Sequence, residues 1–187
     1  MPAIPEPTEP LSDGHVSLRL SAERDIPEIL IAHQDDPRLA ASLGLEHPPS
    51  GAQLGREIEE APASRAAGAA VSLTIVEPGA DECRGQVRAD RFDWEHAHAD
   101  LGIWVAPDAR GRGVGSHALA LGAAWLIDAC SLERVQLLAP PDNEPAIRAA
   151  LAAGFAREGT LRSHTVRGGA RIDLAVLSRV ASDSARR

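Results

Sequence analysis

Lysine and tyrosine do not occur in the 187 residues, and all 19 basic side chains are arginine. No step of a reaction on this chain can therefore use a side-chain amine or a phenol. Aromatics are scarce: Phe92, Phe155, Trp94, Trp104 and Trp125 make up the set, so a core must be built from Leu, Val, Ile and Ala. The two cysteines, Cys83 and Cys130, lack metal-ligand spacing, which fits a reducing, cytoplasmic setting without a disulfide. No apolar run reaches the roughly 18 residues of a membrane span, so no membrane association is expected. The stretch Met1 to Pro7 has neither a basic start nor an apolar core and does not read as a signal peptide. A basic excess is missing as well: the formal net charge of −8 argues against a nucleic-acid partner.

The charge is unevenly placed. Residues 1–100 carry 19 acids and 8 arginines, whereas residues 101–187 carry 8 acids and 11 arginines. The first half would favour a cationic partner and the second an anionic one, unless both are simply solvated faces. Pro2, Pro5, Pro7 and Pro10 among acids mark residues 1–10 as a disordered or extended leader. Residues 11–180 form one domain and 181–187 a tail.

Within the domain, His15 to Ser21 alternates as a strand, and Ser21 is placed to cap a helix carrying Ile26, Ile29, Leu30 and His33. A second helix is expected over Ala52 to Glu60, ending before Pro62. Ala70 to Val76, Gly85 to Phe92 and His98 to Val105 read as strands. After a turn at Pro107 to Gly113, Val114, Ala118, Leu121 and Trp125 mark one buried helical face. Arg134 to Ala139 follows as a strand and Asn143 to Ala153 as a helix stopped by Gly154. A hairpin, Phe155 to Thr165 and Arg171 to Leu177, closes the chain around Gly168-Gly169. The order β-α-α-β-β-β-α-β-α-β-β is that of a mixed α/β (α+β) domain.

The segment with the clearest chemistry runs from Asp100 to Ser116. A strand enters a turn containing Gly111, Gly113 and Gly115, and a helix starts directly afterwards. Glycines allow close approach to backbone amides, and the helix start adds the positive end of its dipole, so the combination suits a phosphate. Arg110 and Arg112 add forked positive charge. A Walker A loop is excluded because it needs lysine. A Rossmann fingerprint can be drawn through Gly113-Val-Gly115-Ser-His-Ala118, but Leu138-Ala139-Pro140 stands where its acid should be. An NAD binder is thus the poorer reading, and a solvated glycine turn the plainest one.

Arg110-x-x-Gly113-x-Gly115 resembles the pyrophosphate-binding pattern of the GNAT superfamily of N-acetyltransferases. Ala99 to Pro107 resembles the preceding strand of its RimJ/RimL-like, ribosomal-protein N-terminal acetyltransferase branch. Asp142-Asn143, with Gly154-Phe155 eleven residues on and then Glu158-Gly159, resembles that branch's second motif. Leu11 to Gly14 with Leu18-Arg19 resembles its opening, and Asp35-Asp36-Pro37 its first helix end, so ordered matches cover most of residues 11–180.

The resemblance implies the GNAT acyl-CoA N-acyltransferase fold, a mixed sheet of about six to seven strands splayed between the fourth and fifth and flanked by about four helices. It implies acetyl-CoA as co-substrate, with no metal, and direct transfer to an amine: a protein N-terminus or a small molecule. Backbone groups of Trp104 and Val105 would bind the pantetheine arm, one of their amides facing the thioester oxygen. Arg110, Arg112 and the amides of Gly111, Gly113, Val114, Gly115 and Ser116 would hold the pyrophosphate. Asn143 would touch the arm or merely cap its helix. The acidic first half would suit a cationic acceptor, and a homodimer is open.

Asp100 stands where relatives usually carry a glutamate and is the first candidate for base or substrate anchor, against a plain solvated acid. His96, His98, Asp100, Gly102 and Trp104 share one strand face by alternation, with Leu101, Ile103 and Val105 on the other, toward the core. The two histidines could relay a proton or, with Asp100, bind a metal; an exposed hairpin face is the simpler reading. His164 is another possible base, and the remaining histidines form no constellation. Two family habits are missing: Ala150 replaces the usual tyrosine and Ala146 a common serine. A thiol of pKa about 8.5 can still leave unprotonated near neutrality. The rival is a non-catalytic acyl-CoA-binding module.

Overall fold

The computed structural model describes residues 2–184. Its strands are β1 (Leu11–Ser12), β2 (Ser17–Leu20), β3 (Val71–Val76), β4 (Gly85–Asp93), β5 (His98–Val105), β6 (Arg134–Ala139), β7 (Ala156–Arg167) and β8 (Ala170–Val180). Its helices are α1 (Ile26–Asp35), α2 (Leu39–Ser42), α3 (Gly51–Ala66), α4 (Val114–Cys130), α5 (Glu144–Ala152) and α6 (Ala181–Ser184). The strands join in one sheet, ordered β1-β2-β3-β4-β5-β6-β8-β7, and every pair is antiparallel except β5 with β6. That is one strand more than the upper expectation and two helices more. The additions are the two-residue β1 and the single-turn α2 and α6, all too short to leave a periodic signature. Of the expected tail, residues 185–187 lie outside the described residues. No helix among the described residues is long and apolar enough to cross a membrane.

Two cores form on opposite sheet faces. α4 lays Ala118, Leu119, Ala123 and Leu126 on Leu18, Leu73, Val87 and Leu101. On the other face, Ile29 and Ala32 of α1, Leu39 of α2 and Leu54 of α3 gather with Cys83 around Trp104. The Trp104 side of β5, which alternation alone leaves open, is therefore covered by the early helices.

Several local expectations are corrected. Ser21 does not cap α1; its hydroxyl instead lies 2.9 Å from both Thr74 Oγ1 and Gln86 Nε2. Asp25 precedes α1, but its carboxylate is spent on Arg19, Thr74 and the Ala22 amide. α3 starts in a capping box between Ser50 and Gln53 and runs through Pro62 to Ala66. Pro62 is exposed and removes the one amide that would meet the Ile58 carbonyl, yet the turn is retained. Of the leader, residues 2–10 carry no helix or strand, and Ile4 is buried at 4% exposure with its amide donating to Arg65 O at the end of α3. The leader thus gives the last turn of α3 a tertiary reason to persist.

Arg134, at the start of β6, grips Glu158 of β7 at 2.6 and 2.8 Å, and Ser178 of β8 donates to the same carboxylate at 2.7 Å. Arg134 first, then the Ser178 hydroxyl, hold the Glu158 carboxyl at about 2, well below its ordinary 4.5. A folded pKa below the unfolded one gives a contribution complete above pH 4.5 and lost as the pH falls toward about 2. Arg134→Gln is expected to flatten the acid side of a plot of Tm against pH over that window. An unchanged curve would refute this reading.

Candidate functional site

Parallel pairing between β5 and β6 stops at Asp100↔Gln136, although β5 continues to Val105 and β6 to Ala139. Beyond that point the two strands diverge, and a cleft of about 830 Å³ opens along the gap. Leu101 to Trp104 form one wall and Leu137 to Ala139 the other. α1 and α3 contribute Ile29, His33, Leu54 and Glu57, while β7 adds His164 and Arg167.

Backbone direction in β5 decides which groups enter the gap. Ala106 donates to Arg84 O at 2.8 Å while Gly85 stands opposite Val105, so Gly85 and Val105 are a non-hydrogen-bonded pair. The Val105 amide and carbonyl consequently turn away from β4, toward the divergent side. Trp104 is the reverse case, with its carbonyl directed at β4. A Cβ on Gly85, whose φ is +148°, would lie 2.3 Å from that oxygen. The expectation that Trp104 offers backbone groups to a ligand arm is corrected: its indole is what lines the cleft, and its Nε1 donates to Gln86 Oε1 at 3.2 Å.

The indole is the end of a directed chain. Gln86 Nε2 donates to Ser21 Oγ, and Thr74 Oγ1 donates to Asp25 Oδ2 at 2.7 Å. The Thr74 hydrogen being used, Ser21 must donate to Thr74, so every donor in the chain from Trp104 to Asp25 points inward. Asp25 is 1% exposed and paired with Arg19 at 2.6 Å. Burial alone would raise its carboxyl, but Arg19, Thr74 and the Ala22 amide carry it below its ordinary value.

Asp100 sits where the strands part, 7% exposed. Its Oδ1 accepts from Gln136 at 2.7 Å and its Oδ2 faces Arg91 Nε at 2.9 Å. Arg91 reaches it because a bulge between Asp90 and Asp93 turns the chain, with Arg91 at φ 51°. Both oxygens being engaged, the carboxylate ties β4, β5 and β6 together at the mouth of the gap. His96 does not share its face: it lies in the turn before β5, its Nδ1 3.0 Å from Asp93 Oδ2. The His-x-His-x-Asp alignment is undone by Ala97 at φ 52°. Among the described residues the one His/acid group with ligand atoms close enough for a metal is elsewhere, at Asp13, His15 and His117 outside the cleft lining.

The glycine turn lies next to the end of β5 but does not line the same cleft. α4 starts from Gly113 at φ 82° with no side-chain cap, and no protein acceptor is found among the described residues for the amides of Gly111 to Ser116. Such a helix start is a ready anion site. The Ser116 hydroxyl turns back to Gly113 O at 2.8 Å. Arg110 is less free than the sequence implies: its Nε donates to Val105 O at 2.9 Å and its other end pairs with Asp36 at 2.7 Å. This guanidinium holds the Asp36 carboxyl below its ordinary range, against burial. Arg112 pairs with Glu77 at 2.8 Å but is 57% exposed and can turn to another anion. Asn143 lines the cleft and also caps α5, its Oδ1 accepting from Ala146 N at 3.3 Å.

The acidic balance of residues 1–100 does not extend into the cleft, where Glu57, Asp90 and Asp100 face Arg88, Arg91 and Arg167. His33 is the lining residue that sequence reasoning missed. Its helical spacing among apolar residues is that of a core position, and only the folded chain sets it beside Trp104, ring centroids 6.5 Å apart. Ala146 lines the cleft, whereas Ala150 is fully buried and is not part of the lining.

A family model described as the acetyltransferase (GNAT) domain matches residues 15–156. The uncharacterised N-acetyltransferase p20 of Bacillus licheniformis is 26% identical over 111 residues, 59% of this chain. The match spans 62% of that relative's length. Among solved structures, the chain is similar to RimL, the ribosomal L7/L12 alpha-N-protein acetyltransferase, in complex with coenzyme A. The TM-score is 0.80 at 17% identity, covering 92% of this chain and 98% of that one. It is also similar to the microcin C7 self-immunity acetyltransferase MccE in complex with acetyl-CoA and AMP. There the TM-score is 0.77 at 19% identity, over 91% of this chain and 98% of the other. At such identities these likenesses establish the fold.

Proposed function

We propose, proceeding from a chain that belongs to the GNAT acetyltransferase family, that it moves an acetyl group from acetyl-CoA directly onto an amine. The observation that carries this reading is the gap between β5 and β6, with the Val105 amide turned into it and the uncapped α4 beside it. Acetyl-CoA supplies the acetyl group as a thioester. The amides of Gly111 to Ser116, with Arg112, hold its pyrophosphate; Arg110 holds the loop against Val105 and Asp36. The Val105 N–H stabilises the oxygen charge that develops on the acetyl carbonyl. Asp100 acts as an anchor for the mouth of the gap, since both of its oxygens already accept.

The acceptor is an amine, and the free N-terminus of a peptide suits the cleft best. The lining offers both signs of charge, matching an ammonium followed by peptide carbonyls rather than a polycation. RimL, a ribosomal L7/L12 alpha-N-protein acetyltransferase of the same fold, supports the same choice, and a small-molecule amine is the contrasting outcome of the test. Neither Ala146 nor Ala150 can protonate the departing thiolate. The rate then comes from proximity and oxyanion stabilisation. The same two alanines favour the second reading, an acyl-CoA-binding module without turnover.

Acetyl-CoA at about 100 times its Kd is expected to stabilise the fold by about 2.7 kcal/mol, raising Tm by about 5–10 °C. Thiol release with a panel of short peptides and small amines then separates the two readings. Stabilisation without turnover of any acceptor supports the binding module, and absence of stabilisation overturns the co-substrate assignment.

A further inference from the structure

His33 lies in the last turn of α1, is 6% exposed, and lines the cleft between the early helices and Trp104. Neither ring nitrogen has a hydrogen-bond partner among the described residues, and Nδ1 is sealed from solvent as well. A buried polar group normally has a partner, because leaving one unmade costs about 1–3 kcal/mol. The sealed Nδ1 cannot be reached from the cleft, which leaves the unpartnered Nε2 as the nitrogen open to a group that arrives with the substrate. The carboxylate that the strand pattern nominates cannot fill this role as it stands, Asp100 being held by Gln136 and Arg91.

We infer that His33 is the general base of the transfer, taking the proton of the acceptor ammonium as the amine enters the cleft; this rests on the acetyltransferase reading above. The proton passes to Nε2, the nitrogen not sealed off, and the neutral amine's lone pair forms the C–N bond to the acetyl carbon. The C–S bond breaks, its electron pair leaves on the coenzyme sulfur, and the nitrogen's second surplus proton goes to solvent. His33 then returns its proton to water or to the thiolate, which closes the cycle with one acetylated amine, one thiol and one released proton.

The electrostatic surroundings favour a neutral imidazole waiting for a proton. Burial pushes His33 below its ordinary 6.5, against the opposite pull of Asp36 at the end of its own helix. The other charged or titratable groups of the same cleft are Glu57 of α3, Arg88, Asp90 and Arg91 of β4, Asp100 of β5, and His164 and Arg167 of β7. His47, between α2 and α3, completes the set.

The test uses the full chain, acetyl-CoA and the best peptide amine of the panel, with kcat/KM followed from pH 5 to 9 beside a ¹⁵N NMR titration of the His33 ring. The wild type is expected to lose activity on the acid side with a midpoint below 6.5, shared by the kinetic limb and the NMR curve. His33→Gln is expected to lose that limb and about 10²–10⁴-fold in kcat while acetyl-CoA still stabilises it as strongly as the wild type. His33→Asn provides a second variant of smaller volume. An unchanged kcat in either variant, a limb that persists, or separate midpoints for the two wild-type curves overturns the role of His33. A wild type that acetyl-CoA does not stabilise overturns the acetyltransferase reading itself, and the base with it.

Discussion

Gly113→Asp is expected to weaken acetyl-CoA binding at least about 100-fold, a loss of about 2.7 kcal/mol, while the unliganded protein still folds with a modestly lower thermal midpoint. Gly113 sits at φ 82° and ψ −6°, immediately before α4, with no side chain capping the helix. Any side chain is strained at this φ, but aspartate enters the left-handed region more readily than most, and a carboxylate at a helix start offsets part of that cost. The amides from Gly111 to Ser116, which have no acceptor among the described residues, would gain an internal one. A pyrophosphate then meets both a competitor for those amides and a like charge. At about 4 Å and an effective dielectric near 20, one such charge pair is worth about 4 kcal/mol, enough to produce the stated loss. Isothermal titration with acetyl-CoA measures it. Affinity within threefold of the wild type would show that the pyrophosphate lies elsewhere.

Asp25→Ala is expected to cost about 3–5 kcal/mol, which for a chain of this size lowers Tm by about 6–20 °C. Asp25 accepts from Arg19 through both oxygens, from Thr74 and from the Ala22 amide, all in a site where it is 1% exposed. Removing the carboxylate leaves the Arg19 guanidinium, only 11% exposed, with the Leu20 carbonyl and Asp81 at the surface as its remaining partners. Thr74 and Ala22 lose their acceptor at the same stroke. The consequence extends to the cleft, because the chain through Thr74, Ser21 and Gln86 ends on the indole of Trp104. Asp25→Asn, which retains an acceptor for Thr74 but not the charge, is expected to lose less. Chemical denaturation of the two variants checks the order, and a loss under about 1 kcal/mol for the alanine variant would refute the buried-pair account.

The parts of the site legible in the sequence are those whose chemistry is local. The glycine turn and the helix start at Val114 are set by conformational preference over a few consecutive residues, and the chain places them as expected. Alternation along His98 to Val105 correctly sends Leu101, Ile103 and Val105 toward α4. It also overreaches: read through the bulge and the turn at Ala97, it puts His96 on a strand face that the turn denies it. Pro62 shows a different failure, a local stop signal overridden where Ile4 packs in and its amide donates to Arg65 O in the last turn of α3.

What belongs to the sequence by itself, then, is the run of elements, the GNAT pattern from Arg110 to Gly115, and the absence of lysine and tyrosine that removes whole classes of mechanism. Tertiary structure alone decided how the acid and base groups are occupied. Gln136 reaches Asp100 across 36 positions of chain, and His33 meets Trp104 across a longer span still. Spacing along a chain carries the periods of helix and strand. Which partner fills a carboxylate, and which imidazole is left without one, depends on how the sheet splays and what packs over it.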